Sequence, residues 1–185
     1  VTISGNEGLR VKLFEPIHLS TMFLKNRMVL PPILTKYATE DGFVTDQLNA
    51  FYRERARGGV GLIIVESAYI DPPGKFAKKM LGICDNQFMS GLERLTNALR
   101  PFGAKVGIEL FHAGRQTSPK ICQTQPVSPS ELTCPIAGEK PRALSMGEIE
   151  FLTHQYSEAA KRAREAGFDA VEFDGGYGHL ISQFL

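Results

Sequence analysis

Residues 58–67 read Gly-Gly-Val-Gly-Leu-Ile-Ile-Val-Glu-Ser, and the fold follows from how that stretch is built. The paired glycines are a stop signal for a preceding helix, because a residue without Cβ accepts the left-handed conformation that ends one. The aliphatic run at 62–65 is short, continuous and β-branched, which suits a strand covered on both faces. Glu66 and Ser67 then put a carboxylate and a hydroxyl at the strand's C-terminal end.

Outward from that run, residues 28–30, 106–110 and 170–173 have the same character, and a helical pattern separates each run from the next. The first helix is expected over 46–57, with Leu48, Phe51, Tyr52 and Arg55 near helical spacing before the glycine stop. The second is expected over 90–100, with Leu92, Leu95 and Leu99 on one face and Pro101 and Gly103 ending it. The third opens on a capping box, Ser145-Met146-Gly147-Glu148, in which the serine oxygen and the glutamate carboxylate each accept from the other's amide. Ile149, Leu152, Tyr156, Ala159 and Ala163 continue it as one apolar stripe, and Gly167 closes it.

Strand, helix, strand in alternation means right-handed βαβ crossovers and a parallel sheet. A doubly wound open sheet and a (β/α)8 TIM barrel both satisfy that order. A nucleotide-binding open sheet carries a glycine-rich turn after its first strand. Here Pro31-Pro32 follow instead. The expectation is therefore an α/β chain forming the first four βα units of a barrel that needs eight and about 250 residues. Residues 117–143, rich in Pro, Ser, Thr and Gln, read as a long loop after the third strand. Residues 13–24 read as a small hairpin closing the barrel bottom.

Composition narrows the function classes. The chain has 185 residues, 43% hydrophobic and 22% charged, which fits one globular domain with a core. A net charge of +1 gives no electrostatic attraction to nucleic acid or to an anionic membrane. The longest aliphatic run is far too short to span a bilayer. Residues 1–10 lack the apolar centre of a signal peptide, and the first residue is Val, so the chain is trimmed or its start is not shown. Cys84, Cys122 and Cys134 have neither zinc nor iron–sulfur spacing and read as reduced thiols of a cytoplasmic protein; no metal ligands are expected.

In a parallel barrel the C-terminal ends of the strands converge on one mouth. Strand one supplies Pro31, Pro32, Ile33, Leu34 and Thr35, and strand two Glu66 and Ser67. Strand three supplies Glu109, His112 and Arg115. Strand four supplies Asp174, Gly175, Gly176, Tyr177, Gly178 and His179. His112 and Arg115 also suit a structural bridge from the mouth to the long loop. Asp174 with its two glycines also suits a tight βα turn, and Glu66 a structural strand-end carboxylate.

These motifs together resemble NADH:flavin oxidoreductases of the Old Yellow Enzyme type. The similarity runs through Leu13-Phe14-Glu15-Pro16, residues 25–32, 39–45 and 58–66, then Glu109-Leu110-Phe111-His112-Ala113-Gly114-Arg115-Gln116 and residues 166–172 and 183–185. The resemblance implies residues 1–185 as the N-terminal half of one FMN-binding barrel domain. It implies FMN at the mouth, NAD(P)H as reductant and a small unsaturated or otherwise oxidised acceptor. It also implies Pro31, Pro32, Ile33, Leu34, Thr35, Ser67 and Glu109 around the flavin. Where relatives carry a small or hydrogen-bonding residue this chain has Leu34, so Thr35 is the expected substitute donor. Where they carry a glutamine it has Glu109, which can both donate and accept only when protonated.

The fourth strand departs further. Relatives commonly carry a His and a His/Asn that hold the acceptor's oxygen, and a tyrosine that gives a proton. Here Asp174 and Tyr177 stand at the two anchors and His179 at the proton donor. An ionised Asp174 would repel an enolate, so flavin-based oxidoreduction is the broader expectation and enone reduction the narrower one. The competing expectation is a non-catalytic half-barrel fragment or degenerate family member. An iron–sulfur cluster, as in longer multidomain relatives, would lie beyond Leu185. A homo-oligomer stays open.

Overall fold

The structure, a computed structural model, describes residues 12–185; the reading of residues 1–10 lies outside them. The described residues begin with a 3-10 turn at Lys12–Phe14, followed by an antiparallel hairpin of β1 (Ile17–Leu19) and β2 (Met22–Leu24), the hairpin expected for 13–24. There follow β3 (Val29–Leu30), α1 (Asp46–Arg57), β4 (Leu62–Tyr69), β5 (Leu81–Gly82), α2 (Met89–Leu99) and β6 (Lys105–Phe111). The chain continues through α3 (Pro119–Cys122), β7 (Val127–Ser128), β8 (Arg142–Ala143), α4 (Met146–Glu165) and β9 (Ala170–Phe173).

Strands β3, β4, β6 and β9 form one parallel sheet in chain order, each beside its predecessor. An open nucleotide-binding sheet reverses direction at a switch point. No such reversal occurs among these four strands, so the order is that of successive barrel staves. Side chains of one parity, Ile63 and Val65 on β4 and Val106, Ile108 and Leu110 on β6, face the helices and are buried. Leu48 and Tyr52 of α1, Leu92, Leu95 and Leu99 of α2, and Leu152, Ala159 and Ala163 of α4 close over them. Each fully buried leucine there contributes roughly 1.5–3 kcal/mol.

The opposite parity faces the barrel interior. Gly107 pairs with Ile64 and Ala170, and Glu109 pairs with Glu172. A Cβ on Gly107 would lie 2.8 Å from the Ile64 terminal methyl, so the glycine makes room for its large neighbour in that layer. Two of the three long helices, α1 and α4, start on side-chain caps. Thr45 accepts from the Leu48 amide at 3.1 Å. Ser145 and Glu148 form the reciprocal box read from the sequence, to which Arg142 adds two bonds onto the Glu148 carboxylate.

Three features depart from the sequence reading. The second strand continues to Tyr69 through an irregularity between Val65 and Ala68. The apolar run ends at Val65, but the extended backbone does not. β5 adds a short parallel pair to the far end of β4. The 117–143 loop holds α3 and a β7–β8 pair that brings its two arms together.

Candidate active site

The irregularity in β4 falls on Glu66 and Ser67, the first polar pair after its apolar run. A bulge of this kind re-aims side chains at a barrel rim. Glu66 turns toward α1 and is fully buried. Its Oε2 accepts from the Thr35 hydroxyl and, at 3.2 Å, from the Thr35 amide, while its own amide donates to the Tyr52 hydroxyl at 2.7 Å. Its Oε1 has no hydrogen-bond partner among the described residues, and burial raises the carboxyl's pKa despite the bonds from Thr35 and Tyr52. Glu66 is thus the clamp on the chain leaving β3, a role that depends on a residue 31 positions away and that sequence reasoning did not resolve.

Ser67 turns the other way, and its hydroxyl donates to Glu109 Oε1 across the β4–β6 pair. These two residues form the polar wall of a hollow of about 480 Å³ at the strands' C-terminal ends. Pro31 and Pro32 line it from β3, Phe111 from β6, and Glu172, Asp174, Tyr177 and His179 from β9 and its loop. Burial pushes the Glu109 carboxyl up; the Ser67 bond opposes this, and the carboxylates of Asp174 and Glu172 push it further up. Burial, then Asp174, does the same to Glu172. Beyond the Ser67 bond, no hydrogen bond reaches the Glu109 carboxyl among the described residues.

The loop after β9 folds back on itself. Asp174 Oδ1 accepts from the Gly176 amide at 3.1 Å, and its Oδ2 meets Nδ1 of His179. Tyr177 and Gly178 take positive φ values of 54° and 77°, and this pair of left-handed residues makes the turn. The His179 ring meets Phe111 edge-on at 4.6 Å and Phe76 at 5.5 Å between centroids. Tyr177 is 91% exposed on the lip of the hollow.

The segment after β6 supports that loop. Gln116 donates to the Tyr177 carbonyl, Gln183 donates to Gly178 O at 2.6 Å, and Leu180 N donates to His112 O at 3.0 Å. Arg115 reaches the Leu132 carbonyl in the long loop at 3.4 Å, the bridge that the sequence suited. His112 is wholly buried behind the site and does not line the hollow. Its Nδ1 accepts from the Gly114 amide at 3.0 Å, so the neutral ring carries its proton on Nε2, which lies 3.9 Å from Asp71 Oδ2 and has no hydrogen bond among the described residues. Burial drives its pKa down to about 4.

Of the residues singled out from sequence, Pro31, Pro32, Ser67, Glu109, Asp174, Tyr177 and His179 share one hollow. Ile33, Leu34 and Thr35 do not line it. Thr35 is corrected as a substitute donor at the mouth: its hydroxyl donates to Glu66 and accepts from the Tyr37 amide, which leaves it no proton to offer. Sequence reasoning passed over Phe76 and Glu172. The register of β9 against β6 was the available signal for Glu172, since it sets that residue directly opposite Glu109. Phe76 comes from a connection without periodicity and carried no signal. Among the described residues no group of three or more His, Cys, Asp or Glu could hold a metal ion, and no helix is long and apolar enough to cross a membrane.

Parallel staves in chain order, helices on one face and a polar hollow at the strand ends define part of a (β/α)8 barrel with its site at the mouth. Residues 12–185 match the model of the NADH:flavin oxidoreductase / NADH oxidase family, and the chain belongs to that family. It is 42% identical over 175 residues to an NADH oxidase of Thermoanaerobacter brockii, covering 94% of this chain and 27% of that protein. It is 38% identical to an NADPH dehydrogenase of Clostridium acetobutylicum, covering 95% of this chain and 51% of that one. Among solved structures, morphinone reductase in complex with tetrahydroNAD superposes with a TM-score of 0.87 at 29% identity, over 94% of this chain and 52% of that one. The Old Yellow Enzyme homologue from Zymomonas mobilis gives a TM-score of 0.84 at 31% identity, with 94% and 51% covered. The chain thus spans about a quarter to a half of the relatives it matches.

Proposed function

We propose that this chain is the N-terminal half of a single FMN-binding barrel domain, and that the intact protein passes hydride from NAD(P)H through flavin to a small unsaturated acceptor. The observation that carries this reading is the convergence of Pro31, Pro32, Ser67, Glu109 and His179, from four separate strand ends, on one hollow. The donor set suits a flat heterocycle with alternating N–H and C=O groups. Ser67 and Glu109 offer a paired hydroxyl and carboxyl on one wall, and the two prolines offer a rigid wall with no amide N–H. When bound, FMN supplies reversible hydride uptake and delivery, which no side chain performs.

The remaining tasks fall to this chain's residues. Glu109, whose carboxyl is pushed toward the neutral form by burial and then by the nearby Asp174 and Glu172 carboxylates, against the Ser67 bond, would offer a hydrogen bond to the ring edge. His179 would supply a proton to the acceptor carbon, its imidazolium returning to neutral as the double bond is reduced. Tyr177, on the lip, offers a phenol to the acceptor's electron-withdrawing oxygen. The intact protein, purified and kept anaerobic, is expected to be yellow, to bleach with NADH or NADPH, and to recolour when a small enone is added. A colourless protein, or a yellow one that neither nucleotide bleaches, would instead favour a non-catalytic scaffold.

A further inference from the structure

We propose that Asp174 is a positioning residue: its carboxylate holds the Nδ1–H of His179, so that the ring gives up and regains its proton at Nε2 alone. The inference rests on the reading of the hollow as a flavin and acceptor site, and assigns a task to a residue that looks hostile to that chemistry. A carboxylate bare toward the acceptor would repel developing enolate charge. Asp174 is not bare. One oxygen is held by the Gly176 amide at 3.1 Å and the other by His179, and the residue is only 8% exposed.

The loop is shaped to make this contact. Four residues lie between Asp174 and His179, and the chain returns only because Tyr177 and Gly178 are both left-handed. For tyrosine that conformation is strained, and it persists only where surrounding contacts fix it. Gln116 and Gln183 provide those contacts through the Tyr177 and Gly178 carbonyls. Phe111 and Phe76 then hold the ring by its faces and edges. With Nδ1 occupied, the free nitrogen of this hollow-lining ring is Nε2, which meets no hydrogen-bond partner among the described residues. In the step itself the imidazolium loses the Nε2 proton to the acceptor carbon, Nδ1–H stays on Asp174, and solvent restores the Nε2 proton.

Asp174→Asn separates positioning from folding. The amide oxygen keeps the bond from Gly176, and the NH2 turns to Nδ1, which must then accept. The neutral ring is forced to carry its proton on Nε2, and the imidazolium loses its partner. The test uses the intact, flavin-loaded protein with ¹⁵N-labelled histidine, the His179 signals being assigned by their loss in His179→Gln. Wild type is expected to show the Nδ1–H tautomer, and Asp174→Asn the Nε2–H tautomer. In flavin-saturated protein, reoxidation by an enone should fall about 100-fold or more in the variant, a larger loss than in anaerobic flavin reduction by NAD(P)H. An unaltered tautomer in Asp174→Asn overturns the proposal, and so does equal slowing of both half-reactions in flavin-saturated protein, which marks a structural role. A wild type without flavin sinks the functional reading instead, and the tautomer measurement still decides whether Asp174 fixes the ring.

Discussion

Glu109 is where charge and hydrogen-bonding capacity pull in opposite directions. A carboxylate accepts but cannot donate, whereas a carboxylic acid does both. Burial, with Asp174 and Glu172 nearby, raises the Glu109 pKa, so the neutral donor form persists to a higher pH than an exposed glutamate allows. As pH climbs through that raised pKa the donor disappears. Flavin affinity of the wild type is therefore expected to fall by roughly tenfold, about one hydrogen bond's worth, as pH rises from the ordinary carboxylate range to well above it. Glu109→Gln keeps donor and acceptor at every pH and should show a flat profile. Flavin-fluorescence titrations of both proteins decide it, and parallel profiles would remove Glu109 as the cause. The position of Glu109 was legible because it is the one titratable residue within the otherwise apolar run at 106–110. Its charge state was not, because the two carboxylates that set it come from β9 and the following loop, more than 60 residues along the chain.

At the scale of elements, legibility tracked the range of the forces involved. Helices α1 and α4 were readable because their caps and apolar stripes lie within the segment itself. β5 was not, because Leu81 and Gly82 become a strand only by docking on the end of β4. The same applies to the contact between the turn at Asp71–Gly74 and the segment after β6, where His112 Nε2 faces Asp71 across 3.9 Å. Burial lowers His112 from 6.5 to about 4 and raises Asp71 from 3.8 to about 6. A lowered histidine contributes stability that is complete above pH 6.5 and is lost as pH falls toward 4. A raised aspartate contributes stability that is complete below pH 3.8 and is lost as pH rises through 6. The two slopes oppose each other over nearly the same window, so wild-type stability should change little there. Asp71→Asn removes one slope, and stability should then rise by roughly 3 kcal/mol between about pH 4 and about pH 6.5. Denaturation midpoints across that range measure it; a flat curve in the variant would show that His112 titrates as if exposed.

At the scale of the whole chain, the choice between barrel and open sheet turned on Pro31-Pro32 standing where a phosphate-binding turn would need glycines, and the strand order agrees with that choice. What composition could not convey is which surfaces the arc leaves uncovered. Beyond β9 there is an apolar groove of about 410 Å³ lined by Ile149, Leu152, Tyr156, Phe173, Leu180 and Phe184. Phe173 is 51% exposed and Phe184 48%. In a closed barrel the next βα unit packs against the fourth strand, both pairing its edge and covering such side chains. A 185-residue polypeptide produced by itself has only a second copy of this face to cover them. It is therefore expected to self-associate and to bind a hydrophobic dye strongly, whereas the intact protein binds the dye weakly. Phe173→Asp puts a charge beside the open edge and removes the largest exposed ring of the β9 strand, so it should weaken association of the polypeptide by at least about tenfold, the equivalent of about 1.4 kcal/mol. Sedimentation of the two polypeptides over a concentration series measures this directly. If the Phe173→Asp chain associates as tightly as its parent, the seam lies elsewhere on the arc and the β9 edge is not what holds the copies together.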